Sequence, residues 1–161
     1  MRRRIDVTEL PRDEQVTYGR DVVMRQLAMM DRSRAQLADA LARRDVPEAV
    51  AEEVLQYFEE IGLIDDAHFA EVLTRTRFAG KGASRRAILM ELKRKGVSGD
   101  IAQAAIEHID PDAELDAAIR LAEKKLRTGG GNPATLHQRA YAMLARRGFS
   151  PAQCSRALAE A

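Results

Sequence analysis

Apolar residues recur three and four positions apart along almost the whole chain. No segment of convincing length alternates strictly between apolar and polar, so the pattern predicts helices and no sheet. A first helix is expected over roughly Asp13 to Met29, with Val16, Val23 and Leu27 on one face. The next opens at Ser33 in SRAQ, where a Ser followed three residues later by Gln makes a capping box that satisfies free N–H groups. That helix carries Leu37 and Leu41. Pro47 suits the first turn of a third helix, where its missing N–H costs nothing. Val50, Val54, Leu55 and Phe58 form the third helix's core face, and Gly62 ends it.

The same plan then repeats. Asp65 or Asp66 caps a helix carrying Phe69, Val72, Leu73 and Thr76; Ser84 caps one with Ile88, Leu89 and Leu92; Ser98 caps one with Ile101, Ala105 and Ile106. Asp110-Pro111, Asn132-Pro133 and Ser150-Pro151 are three further cap-then-proline starts. Leu41, Leu92 and Leu144 lie 51 and 52 residues apart. Arg44, Lys95 and Arg147, then Val46, Val97 and Phe149, keep similar offsets. A fixed period of this size predicts an all-α fold, an elongated tandem array of three three-helix repeats. The expected divisions are a basic flexible arm over 1–12 and repeats over 13–64, 65–110 and 111–161. The insertion TGGGN at Thr128 to Asn132 lengthens one loop, which is expected to be mobile.

Charge changes the picture more than composition does. The 161 residues are 45% hydrophobic and 32% charged, ordinary for a folded helical protein, and the net charge is only +1. Locally the balance is far from neutral. From Glu48 to Glu71 eight acids face no Lys or Arg, a net of −8, while from Arg75 to Lys95 eight basic residues face one acid, Glu91, a net of +7. Those eight are Arg75, Arg77, Lys81, Arg85, Arg86, Lys93, Arg94 and Lys95. Arg85 and Arg86 follow the Ser84 cap, where the helix dipole disfavours cations, so helix stability does not call for them. Arg86 and Lys93, seven residues apart, share a lateral face away from Ile88, Leu89 and Leu92. The window reads either as a solvated face or as a surface for phosphate or an acidic protein. Lys124, Lys125 and Arg127 begin a second, looser cluster: between Arg120 and Arg147 seven basic residues face only Glu123.

Other chemistries find little support. Asp65, Asp66 and His68 lie too close in sequence to supply the converging ligands of a catalytic metal site, and they read more simply as a helix cap. Gly80 to Ser84, GKGAS, is too short for a phosphate-binding loop. The chain is expected to be a non-enzyme without metal or cofactor. Four Phe, three Tyr and no Trp are too few for a base-stacking platform, so contact with nucleic acid would run mainly through phosphates, without base readout. Two short helices around a tight turn, as at Leu37 to Leu55 and Ile88 to Ile106, occur in any three-helix repeat and do not single out a transcription factor. The lone Cys154 reads as a small buried apolar residue, which fits a reducing compartment. With no run of about 18 apolar residues, a cytoplasmic protein without a membrane contact is expected. Arg2, Arg3 and Arg4 are candidates for an arm that reaches a phosphate.

The run GLIDDAHFAEVLTRTR from Gly62, the later ELKRKGV and the upstream RSRAQLADAL resemble the RecX family of regulators of the bacterial recombinase RecA. The resemblance covers residues 20 to 158 and is strongest over Gly62 to Ala70 with Arg77, Glu91, Leu92, Lys95 and Gly96. It is weak in the third repeat, and Leu73 stands where the family often has an aromatic residue. The resemblance implies a monomeric negative modulator that binds RecA filaments on single-stranded DNA and limits their extension, ATP hydrolysis and strand exchange, in DNA repair and the SOS response. The basic residues named above would meet the filament or the phosphates of its DNA. A sequence-nonspecific DNA-binding helical repeat protein without a recombinase partner, and a helical scaffold using the acidic face, are the alternatives.

Overall fold

The computed structural model describes residues 5–161. Among them are nine α-helices and no strand: α1 (Arg12–Met29), α2 (Arg34–Arg43), α3 (Glu48–Glu60), α4 (Asp66–Lys81), α5 (Arg85–Arg94), α6 (Gly99–Glu107), α7 (Pro111–Thr128), α8 (Pro133–Arg146) and α9 (Pro151–Glu160). Arg2, Arg3 and Arg4 lie outside the described residues. A flexible arm is expected over 1–12, but its described part is not free throughout. Asp6 caps a short 3-10 turn, Val7–Glu9; Val7 is buried, and the Gln15 side chain donates to its carbonyl at 3.0 Å.

The caps explain where the helices start. Ser33 and Ser150 each form the reciprocal capping box with Gln36 and Gln153. Of the two candidates at the start of α4, Asp65 is the cap: its Oδ1 accepts from the His68 amide at 3.0 Å. Asp110 and Asn132 accept from the amides two residues on, each ahead of a proline in the first turn. Ser98 departs from expectation, since its side chain makes no capping bond.

The chain divides into two compact units. One runs to Phe69 and includes Lys95–Val97; the other takes Ala70–Arg94 and Ser98–Ala161. Three helices, α1, α2 and α3, pack on one another in the first unit around Val23, Leu37, Leu41, Val54, Leu55 and Phe58. In the second, α7, α8 and α9 enclose Ala118, Ala122, Ala140, Leu144, Phe149 and Cys154, and α5 packs on α6. Leu41, Leu92 and Leu144, the residues that set the period, are all fully buried.

Two core faces differ from the expected ones. In α4 the inward stripe is Phe69, Ala70, Leu73 and Thr74, with Val72 half-buried and Thr76 exposed. In α6 it is Ala102, Ala105 and Ile106, continued by Ile109, which leaves Ile101 42% exposed. In both helices a small residue, Ala70 or Ala102, takes an inward position beside a larger side chain that a hydrophobicity pattern ranks above it.

The same tertiary joint occurs once in each unit. In the first, Ser33 Oγ accepts from the Gln36 amide and donates to the carbonyl of Lys95. In the second, Ser84 Oγ accepts from the Ala87 amide at 3.0 Å and donates to the carbonyl of Arg147 at 2.9 Å. The residue after each carbonyl is a glycine with positive φ, Gly96 at +82° and Gly148 at +91°. A Cβ on Gly148 would stand 2.6 Å from Ser84 Oγ, and one on Gly96 would collide with Ala35. Glycine is therefore required twice over, for conformation and for space. An acid completes each joint at the first helical amide: Asp66 Oδ1 accepts from Arg34 N–H at 2.8 Å, and Glu114 Oε1 from Arg85 N–H at 3.1 Å.

Both serines are fully buried, so removing a hydroxyl strands a helix amide and a carbonyl together. Ser84→Ala is expected to lower unfolding free energy by about 1–3 kcal/mol in a denaturant titration. Ser98→Ala, at the exposed serine without a capping bond, should stay within about 0.5 kcal/mol of the parent. Equal losses in the two variants would remove the joint as an explanation.

Candidate nucleic-acid and filament interface

The structure sorts the basic residues by whether an acid holds them. Arg75 pairs with Glu71 one turn back, at 3.2 Å. Arg77, on α4, directs Nε at both carboxylate oxygens of Glu91 on α5, at 2.8 and 2.9 Å. Arg85 donates from Nε to Oε2 of Glu114 at 2.7 Å, and that carboxylate is only 3% exposed. A buried carboxylate needs such partners, since an unpaired charge in the interior is strongly unfavourable. Arg77 and Arg85 thus serve tertiary structure directly.

Lys81, Arg86, Lys93, Arg94 and Lys95 make no ion pair among the described residues. Lys81, Arg86, Lys93 and Arg94 are exposed, and Lys95 is half-buried. Arg86, Lys93 and Arg94 all lie on α5, whose Ile88 and Leu92 face inward, so this helix carries cations outside and core residues inside.

The second cluster meets the first in one place. A groove of about 260 Å³ in the second unit is lined by Phe78, Ala79, Gly80, Lys81 and Gly82 from the end of α4, and by Ala117, Arg120, Leu121 and Lys124 of α7. It brings Lys81 and Lys124 together and adds Arg120, which was counted in the second basic run but not selected as a contact. None of the three has an ion pair among the described residues, and no acid lines the groove. Arg147 reaches the Lys81 carbonyl from Nη1 at 3.5 Å. Lys125, half-buried, and Arg127, exposed, are not among the groove's lining residues.

GKGAS has a structural role here. The Gly82 amide donates to Phe78 O at 2.9 Å and the Ala83 amide to Arg77 O at 3.2 Å, so both turn back onto carbonyls of the last turns of α4. Those amides are occupied, so any anion in the groove must be held by side-chain cations.

Tertiary partners also temper the acidic run. Arg34 donates from Nε to Glu59 and from Nη2 to Glu52 at 2.6 Å, while Arg12 donates to Glu53 at 2.9 Å. Burial alone would lower the Arg34 pKa, but the bonds to Glu59 and Glu52 outweigh it and raise the value. Cys154 is fully buried, and burial pushes its thiol pKa up. At neutral pH it is a protonated core residue with Sγ 3.6 Å from the Phe149 carbonyl.

Among the described residues no three His, Cys, Asp or Glu side chains come together as a metal site, and no helix is long and apolar enough to cross a membrane.

Comparison with known proteins agrees with this organisation. Models of the first, second and third three-helix domains of RecX match residues 20–58, 65–106 and 112–158, in that order. The regulatory protein RecX of Thermobifida fusca is 42% identical over 133 residues, covering 82% of this chain and 72% of that protein. That of Mycobacterium ulcerans is 41% identical over 145 residues, covering 89% of this chain and 82% of its own. The crystal structure of RecX from Lactobacillus salivarius superposes with a TM-score of 0.82 at 22% identity, covering 92% of this chain and 97% of that one.

Neighbouring arginines should separate in a stability measurement. Arg85→Ala strands the buried Glu114 carboxylate and is expected to cost about 2–3 kcal/mol by denaturant unfolding. Arg86→Ala removes an exposed, unpaired cation and should fall within about 0.5 kcal/mol of the parent. If both variants melt with the parent, the division into structural and free cations fails.

Proposed function

The chain belongs to the RecX family, and on that premise we propose that it is a negative modulator of the recombinase RecA. It binds RecA filaments on single-stranded DNA and restrains their extension, ATP hydrolysis and strand exchange, without chemistry of its own, as a cytoplasmic monomer. The observation that carries this reading is the separation of charges. Where a cation serves the fold, an acid from another helix meets it, as in Arg77 with Glu91 and Arg85 with Glu114. Where it does not, it stands exposed on a helix whose opposite side is core, as do Arg86, Lys93 and Arg94.

Such a surface suits a polyanion or an acidic groove, with attraction that is strong only within about 8 Å in physiological salt. Contact with phosphates would be indifferent to sequence, as a protein acting all along a filament requires. Lys81, Lys124, Lys125 and Arg127 belong to the same proposed surface, and Lys95, in the first unit, is a further proposed contact. Arg75, Arg77 and Arg85 shape it through their carboxylate partners.

Arg86→Glu with Lys93→Glu reverses two exposed charges while Ile88 and Leu92 keep the helix seated. Glu also suits the first turn of α5 better than Arg, so stability should hold. ATP hydrolysis by RecA filaments, followed with parent and double variant, is expected to show restraint by the parent and loss of most of it in the variant. A variant that restrains the filament as well as the parent does would remove this face from the interaction. A parent that binds single-stranded DNA but leaves hydrolysis untouched would favour a DNA-binding repeat protein without a recombinase partner.

A further inference from the structure

The groove between the end of α4 and α7 differs from the cationic face of α5 in having an apolar wall. Lys81, Arg120 and Lys124 supply positive charge, while Phe78 and Leu121 supply apolar surface. Arg120 and Lys124 are four residues apart on one helix, hence neighbours on one face. Phe78 is the phenylalanine the core leaves over: Phe58, Phe69 and Phe149 are buried, and Phe78 is half-buried in the lining.

We propose that this groove seats one unpaired nucleotide of single-stranded DNA, its phosphate among Lys81, Arg120 and Lys124 and its base against Phe78 and Leu121. The proposal rests on the functional reading above and locates its DNA contact. At about 260 Å³ the groove lies below the usual span for whole small-molecule ligands, roughly 300–1,000 Å³, and suits a segment of a longer chain. The closing turn of α4 has already committed the Gly82 and Ala83 amides, so the cations alone hold the phosphate. Apart from those cations the lining has no hydrogen-bonding side chain, so every base is accepted alike. In a duplex the bases are stacked inward and cannot reach Phe78. The same groove therefore distinguishes single from double strands without reading sequence.

The test is fluorescence anisotropy of the full-length protein with a labelled oligo-dT and a duplex of equal length, over a range of salt. Lys81→Gln, Arg120→Gln and Lys124→Gln together are expected to weaken single-strand binding at least tenfold. They should flatten the log–log salt slope by about 0.7, the value for one neutralised phosphate on a single strand. Phe78→Leu, checked for parental helicity, should weaken single-strand binding about fivefold and leave duplex binding unchanged. The assignment is overturned if the triple variant keeps the parent's affinity and slope, if the parent prefers the duplex, or if the parent does not bind the naked oligonucleotide. A triple variant that keeps both the parent's single-strand affinity and its restraint of ATP hydrolysis would remove the groove while leaving the modulator reading in place.

Discussion

A serine hydroxyl buried at the start of α2, and another at the start of α5, each hold two backbone groups at once. The hydroxyl accepts from an amide in its own first turn and donates to a carbonyl about sixty residues onward, Lys95 in one case and Arg147 in the other. Asp and Asn are as good as Ser at capping, yet a carboxylate could not make the second bond. The following glycine and the acid on the neighbouring amide complete the arrangement. Together they fix the Lys95–Gly96 segment against the opening of α2 and the Arg147–Gly148 segment against the opening of α5, each within its own compact unit. Burial makes the joint consequential, because a cap lost in water is replaced by water and a cap lost here is not.

Charges near the joints consequently belong to the fold. Glu114 is buried because it caps the Arg85 amide, and the Arg85 guanidinium accompanies it for the same reason. Arg34 is placed similarly beside Asp66, with Glu52 and Glu59 on its side chain. A net charge of +7 over a sequence window thus overstates what a partner meets, since three of its eight cations are answered by carboxylates. Apart from Lys95, whose carbonyl closes the first joint, the cations left free lie on α5 and around the α4–α7 groove. Their side chains take no part in these joints, and it is this independence that makes them the basis of the proposed interface.

Local rules made most of the fold legible in the sequence. The Ser33 capping box and the three cap-proline starts of the last helices each describe a few consecutive residues, the 51- and 52-residue offsets show such local patterns recurring, and the structure has them. Ile101 and Val72 were misplaced because a helical wheel ranks side chains by hydrophobicity, whereas the observed stripes pass through Ala102 and Ala70, where close packing wants a small residue. Ser98 looked like its counterparts, but its hydroxyl makes no capping bond. Partnerships across long separations were out of reach. Nothing local links Ser33 to residue 95 or Arg85 to Glu114, so Arg85 was grouped with Arg86 although one is structural and the other free. The groove was half visible: both basic runs were apparent, but their meeting at Lys81, Arg120 and Lys124 depends on how α4 and α7 pack.

The central claim is that the free cations, rather than the acidic helix, meet the nucleoprotein filament. Hydrogen exchange of the protein, alone and bound to RecA on single-stranded DNA, addresses it without any substitution. Slowed exchange is predicted over the end of α4, over α5 and over the half of α7 that carries Arg120 and Lys124, with α3 unchanged. Protection confined to Glu48–Glu60, with α5 and α7 exchanging as in the free protein, would contradict the account.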